Sequence, residues 1–350
     1  MANNVTPFKR ILDFHEQTLG KSDEEKKIIA QEQGIDFNEY ERRIIGKEKE
    51  FEFFVIMKAL GSFKNIEPID EELSQISGEK TPDFAVEFTD GYKMMIEVKH
   101  TDKDEYKISM GNLQKRIDYA TNYGMQLRFA ISLKGFWGLF TSDFIKSKNG
   151  KLTISDYMSE KRNSWLDREL ETCSYMFLRP FKFVSVYSTK ATEELGVWVE
   201  PYGELISYEV YYDNHLLLNI NCKDDPRYLY MFVLEAVQDR ISNIFQKITT
   251  NGDVTTIVEH NENSPCQTYA EYMFVLAIIK HMRYVGKNYR DNIFLVVGEK
   301  NKHNFLPVEY IRLVMSDLFN SNIDVMCFKD GCGCSFADYQ RNVWVKKSRQ

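Results

Sequence analysis

The sequence predicts an α/β protein, and three observations carry that expectation. Short apolar runs with alternating polar residues, such as FAVEF and KMMIEV, are bounded by turn residues and read as strands. Longer segments, KEKEFEFFVIMKAL above all, repeat apolar residues at helical spacing. In the second half of the chain the two kinds of run alternate, the order that builds parallel sheets covered by helices. At 350 residues there is room for two domains.

Residues 1–45 read as an N-terminal helical segment. Within it, EEKKIIAQEQGIDFNEYERRI has the outline of a helix-turn-helix. Ala30 sits in the first helix, Gly34 in the turn, and Asp36 with Glu39 forms a capping box for the second. A DNA-reading element of this kind would carry Arg42 and Arg43 near its end. A plain helical hairpin has the same glycine turn, and Tyr40 stands where a smaller aliphatic is usual.

Residues 46–150 read as a compact unit ordered helix, three strands, helix, strand. The helix over 47–60 buries Phe53 or Phe54, Met57 and Leu60 on one face. NIEPIDEEL reads as a strand, and TPDFAVEFTDGYKMMIEVKH (81–100) as a hairpin turning at Asp90-Gly91. A helix over 109–123, a strand at QLRFAISL and a further strand-like run at GLFTSDFI follow.

The polar stretch 146–165 reads as a boundary, and residues 160–350 as a C-terminal α/β domain for target recognition, partner docking or dimerisation. Its strands are placed at KFVSVYS, GVWVE, ISYEVYY, DVTTIVEH, NIFLVVGE and IDVMCF. Its helices are placed over 227–247 and in YAEYMFVLAIIKHMRYV and VEYIRLVMSDLF, with the strands of the alternating part parallel. Neither GxGxxG nor GxxxxGK[ST] occurs, so no dinucleotide or P-loop site is expected.

Composition is that of an ordinary soluble protein, with 43% hydrophobic and 28% charged residues. No apolar run approaches the length of a membrane helix and the N-terminus lacks a signal-peptide core, so a cytoplasmic protein without membrane association is expected. The six cysteines then read as reduced thiols. CFKDGCGC lacks the second ligand pair that a structural zinc site needs. A net charge of −7 argues against coating nucleic acid by bulk electrostatics, but not against holding DNA in a local groove.

Apolar periodicity and the Asp-Gly turn leave the charges of the hairpin unexplained. Residues two apart on a strand share a face, so Glu97 and Lys99 point the same way. Asp83 opens the paired strand and approaches their end across a hairpin centred on Asp90-Gly91. Glu50, on the apolar face of the preceding helix, needs a partner because an unpaired buried charge is costly. If it faces the same point, three carboxylates and an ammonium converge there. Oxygen ligands suit a hard divalent cation such as Mg²⁺, and a lysine beside it suits phosphodiester hydrolysis. The competing reading is a surface hairpin with a Glu–Lys ion pair of little energetic value.

Pro82-Asp83, a gap of fourteen positions, then Glu97-Val98-Lys99 ending an apolar strand resembles the PD-(D/E)XK nuclease superfamily, over residues 46–140. The resemblance implies a restriction-endonuclease-like mixed sheet flanked by helices. It implies Asp83 and Glu97 as metal ligands, the Val98 carbonyl as a further ligand, and Lys99 as the catalytic lysine. Glu50 matches the upstream helix acid, with Glu48 and Glu52 as competitors. Gln114 matches a catalytic contributor on the following helix, with Lys115 and Arg116 as nucleic-acid contacts. The cofactor implied is Mg²⁺, with Mn²⁺ as a substitute, and the substrate DNA, with RNA left open.

In motif style the segment is similar to junction resolvases, transposase endonuclease subunits and restriction enzymes. The expectation is a DNA endonuclease, in restriction or antiviral defence, acting as a homodimer or with partner proteins. A structure-specific or transposon-end nuclease is the alternative within the class. Outside it stands a catalytically silent nucleic-acid-binding protein on a nuclease fold, disfavoured because Asp83, Glu97 and Lys99 are all present.

Overall fold

A computed structural model describes residues 7–60, 63–69, 80–159, 173–190, 195–239, 244–261, 268–281, 289–298, 308–319, 325–329 and 332–335. The chain divides into two units, Met1–Glu171 with Tyr284–Asn304, and Thr172–Arg283 with Phe305–Gln350. Among the described residues no helix is long and apolar enough to cross a membrane.

The first unit begins with helices α1 (Pro7–Gln17), α2 (Asp23–Glu32) and α3 (Phe37–Leu60). Ser22 and Glu25 form a reciprocal capping box that starts α2. The chain reverses at Gly34, whose φ of +64° is a backbone state in which side chains are strained. Asp36 then caps α3 by accepting from the amides of Asn38 (2.9 Å) and Glu39 (3.3 Å). Glu39 does not reach back to complete the expected box but pairs with Arg43 at 2.7 Å. The expected second helix of a helix-turn-helix and the helix carrying Glu50 are therefore one element of 24 residues.

Next come β1 (Phe63–Pro68), β2 (Phe84–Phe88), β3 (Lys93–Thr101), β4 (Glu105–Lys107), α4 (Met110–Asn122), β5 (Gln126–Leu133) and β6 (Phe136–Thr141). The unit continues with α5 (Ser142–Ser147), β7 (Lys151–Thr153) and α6 (Ile154–Ser159). The main sheet has the order β1-β2-β3-β5-β6. Only β3 and β5 are parallel, linked through α4, so the sheet is mixed.

Alternation along the strands divides the sheet's two faces. On one, Phe53 of α3 packs against Phe84 and Trp137, with ring centroids 6.2 and 5.6 Å apart. On the other, Leu113 and Ala120 of α4 share a buried cluster with Met95, Leu127, Phe129 and Ile131. Residues 95, 97 and 99 thus face α4, while 96, 98 and 100 face α3.

The second unit holds β8 (Ser174–Phe177), β9 (Phe181–Ser188), β10 (Trp198–Val199), β11 (Gly203–Tyr212), β12 (His215–Ile220) and α7 (Tyr228–Gln238). β13 (Phe245–Asn251), β14 (Val254–His260), β15 (Thr268–Ala270) and α8 (Glu271–His281) follow. After a helix of the first unit, α9 (Tyr289–Gly298), come α10 (Val308–Phe319), β16 (Val325–Lys329) and β17 (Cys332–Ser335). One sheet runs β10-β11-β9-β14-β13 with β12 beside β11, and another β15-β8-β16-β17.

Every strand pair described in this unit is antiparallel, which corrects the parallel arrangement expected from alternating runs. The helix expected over 227–247 stops at Gln238, and FQKITTN pairs as β13 with β14 around Gly252. Its β-branched residues and a glycine at positive φ favour a hairpin over a helical turn. Glu271, fully buried, ties β8, α8 and α10 together. It accepts from Arg312 at 2.8 Å, the Tyr175 hydroxyl at 2.9 Å and the Cys173 amide at 3.1 Å.

NIFLVVGE was expected as a strand of the C-terminal domain; its described part, residues 292–298, is instead helical in α9, which belongs to the first unit, and Glu299 lies outside the described residues. A short apolar run reads equally as strand or buried helix, and packing decides. Phe294 sits 4.7 Å from the ring of Phe51 and 4.3 Å from that of His15.

Candidate active site

The register of the hairpin brings the charges together. Phe84 pairs with Ile96, so the next positions outward, Asp83 and Glu97, fall opposite one another. Asp83 lies just before β2, and its Oδ2 accepts from the Val98 amide at 2.5 Å, replacing a ladder bond with a charge-assisted one. Its own carbonyl accepts from Ile69, so the backbone that carries it is pinned on both sides.

Glu97 is wholly buried and Asp83 nearly so. The Lys99 ammonium lies 2.5 Å from Glu97 Oε1 and 3.9 Å from Asp83 Oδ2, and donates to the Val98 carbonyl at 2.8 Å. From α4, Arg116 Nε stands 2.6 Å from the same Glu97 oxygen. Both cations meet Glu97 Oε1, while its buried Oε2 has no hydrogen-bond partner among the described residues.

Burial, and then the charge of Asp83, push the Glu97 carboxyl above its ordinary range. Burial and then Asp83 likewise push Glu50 up to about 7, against the pull of Lys47, whose ammonium lies 2.6 Å away. Burial pulls the Lys99 ammonium down, but Asp83 and Glu97 outweigh it and hold the group above its usual value. Lys99 therefore stays protonated at neutral pH.

The three acids of α3 have different partners. Glu48 accepts from Arg290 Nε of α9 at 2.7 Å. Glu52 pairs with Lys49 at 2.5 Å and also accepts from Tyr289. Glu50 instead lines a cleft of about 350 Å³ together with Asp83, Val98 and Lys99. Arg42 lines the same cleft and is exposed, whereas Arg43 is spent on Glu39.

On α4 the structure does not bring Gln114 to the acids. Its amide donates to Asp118 at 2.7 Å and accepts from Lys146 at 3.0 Å, and Lys115 is exposed. Two positions along a helix is about 200° of rotation, so Arg116, not Gln114, meets Glu97. A signal for this lay in the sequence: Arg116 follows Leu113 by three and borders the apolar stripe of Leu113 and Ala120. His100 and Lys49, which also line the cleft, carried no such signal.

Among the described residues no three His, Cys, Asp or Glu side chains form a ready-made metal cage. A hard cation does not require one, since Mg²⁺ is held by one or two carboxylates and keeps water. Asp83, Glu97, Glu50 and the Val98 carbonyl are hard oxygen donors around one end of the hairpin. The buried Glu97 Oε2, without a hydrogen-bond partner among the described residues, fits such an ion, and the Lys99 ammonium now supplies the positive charge beside Oε1.

No protein-family model and no curated protein matches the sequence. Among solved structures, the chain is similar to Hjc, a Holliday junction resolvase from the archaeal hyperthermophile Archaeoglobus fulgidus. The match has 19% identity and covers 31% of this chain and 89% of that one, with a TM-score of 0.27. The first unit itself is a mixed β-sheet between helices.

Proposed function

We propose that the first unit is a metal-dependent nuclease that hydrolyses phosphodiester bonds, with DNA as substrate. The observation that carries this reading is the convergence of Asp83, Glu97 and Lys99 where Asp83, Lys99 and Glu50 line an open cleft, with Glu97 buried behind them. Asp83, Glu97, Glu50 and the Val98 carbonyl would hold Mg²⁺ or Mn²⁺. When bound, such an ion lowers the pKa of a coordinated water and offsets charge on the phosphate.

Lys99 stays charged, so its part is to donate to a phosphate oxygen or orient the attacking water, not to accept a proton. Water forms the new bond to phosphorus as the ester oxygen departs and takes up a proton. The attacking water gives up a proton in the same step, so the proton gained by the departing oxygen is balanced. In this reading the second unit selects the target or a partner, and the protein serves restriction or antiviral defence.

Supercoiled plasmid incubated with and without Mg²⁺ or Mn²⁺ tests the proposal. Wild type should nick it only with metal, and Asp83→Ala and Lys99→Ala should abolish nicking. Equal cutting by either variant, or by wild type in EDTA, sinks the assignment.

A further inference from the structure

The cleft beside the acids has a second wall. α3 lines it with Arg42, Gly46 and Lys49, of which Arg42 and Gly46 are exposed, and His100 of β3 lines it as well. Gly46 lies in the interior of a helix of 24 residues, where glycine is less favourable than alanine. Among the described residues nothing in the packing asks for it: a Cβ built there would meet no atom of theirs within 4 Å, and its φ is not positive. What a side chain at residue 46 would occupy is the open space of the cleft itself.

The charges around this space are unequal. Lys49 is drawn to Glu52 at 2.5 Å and Glu48 at 3.6 Å. Arg42, one turn before Gly46, has no ion-pair partner among the described residues and is exposed. Its guanidinium suits a phosphate, which it can grip with paired N–H groups. The half-buried His100 keeps a buried Nδ1 without a hydrogen bond among the described residues, while its Nε2 lies 3.4 Å from Asp102.

We propose that Gly46 is the floor of a seat for a substrate phosphate next to the one that is cut, gripped by Arg42 and faced by His100. This rests on the nuclease reading and extends it. The chain of the nucleic acid passes along the bare stretch of α3, with the neighbouring phosphate held on Arg42 as the scissile one meets Asp83 and Lys99. A side chain at residue 46 closes this track without touching the acids.

The test uses the full-length protein and a fluorescein-labelled DNA duplex, with binding followed by anisotropy in EDTA at several salt concentrations. Gly46→Ala and Gly46→Leu should fold, with melting temperatures raised by about 2–4 °C because the helix gains propensity. Gly46→Leu should nonetheless weaken binding about tenfold or more, and Gly46→Ala by less. Arg42→Gln should weaken binding and lower the slope of log affinity against log salt by about one.

Wild-type binding matched by Gly46→Leu overturns the seat, even if Arg42→Gln is weak, since Arg42 would then be a general surface charge. Wild type that neither binds duplex nor nicks plasmid with metal overturns the nuclease reading as well. Plasmid nicking that persists in Asp83→Ala removes that reading alone.

Discussion

Glu50 shows what a single residue reveals about the site. Its carboxyl titrates near 7 rather than at its ordinary 4.5, because burial and Asp83 disfavour the charged form. A carboxyl with a folded value above its unfolded one holds its proton longer in the folded chain. Its contribution is therefore favourable at low pH and is lost as pH rises from about 4.5 to about 7. Glu50→Gln cannot ionise, so in EDTA its melting temperature should gain on wild type across that window and level off above it. Melts at a series of pH values check this, and a constant difference would contradict it. With metal present, Glu50→Gln should also lose about two orders of magnitude of cleavage. Glu48→Gln and Glu52→Gln, whose partners are Arg290 and Lys49, should not. At this scale the opposition of Asp83 to Glu97 and Lys99 was legible, because a two-residue period and an Asp-Gly turn leave a hairpin one register. Which acid of α3 joins them was not legible. Glu48, Glu50 and Glu52 are spaced alike in sequence and are separated only by what α9 and the strand ends present to each.

Elements were legible where their pattern was long or their turn chemistry strong. The hairpin and the helix after it lie close to where the sequence placed them, at β2, β3 and α4. NIFLVVGE failed because an eight-residue apolar run is compatible with either periodicity, and its docking on α3 makes it helix. That docking has a testable clasp: Arg290 reaches Glu48 at 2.7 Å and Glu41 at 3.2 Å. Arg290→Ala leaves the largely buried Glu48 without its guanidinium and should destabilise the protein by about 1–3 kcal/mol. Arg290→Lys should recover part of the loss, read from urea or thermal unfolding. An unchanged midpoint for Arg290→Ala would show that the clasp contributes nothing.

Across the whole molecule the chain leaves its first unit and returns to it, since Tyr284–Asn304 belongs with Met1–Glu171. No local pattern announces such a return, because it depends on which apolar face remains uncovered once the rest has folded. His15 reports it. The ring is fully buried against Phe294 and its Nδ1 is 2.8 Å from the Tyr40 hydroxyl. Burial first, then Lys26 and Arg290, lower it to about 4. A fragment ending at residue 171 lacks α9, so it should melt below the full chain and bind a hydrophobic dye. In it the His15 imidazole, followed by NMR, should titrate closer to its ordinary 6.5. A fragment as stable as the full chain, with His15 still near 4, would separate α9 from this unit.

Strand alternation and a turn within twenty residues suffice for the hairpin, its register and the meeting of Asp83, Glu97 and Lys99. Long-range packing alone selects Glu50 over Glu48 and Glu52, brings Arg116 rather than Gln114 to Glu97, and closes α9 over α3. Those are contacts between segments far apart in the chain. Their geometry is set by packing of whole elements, which local periodicity does not encode.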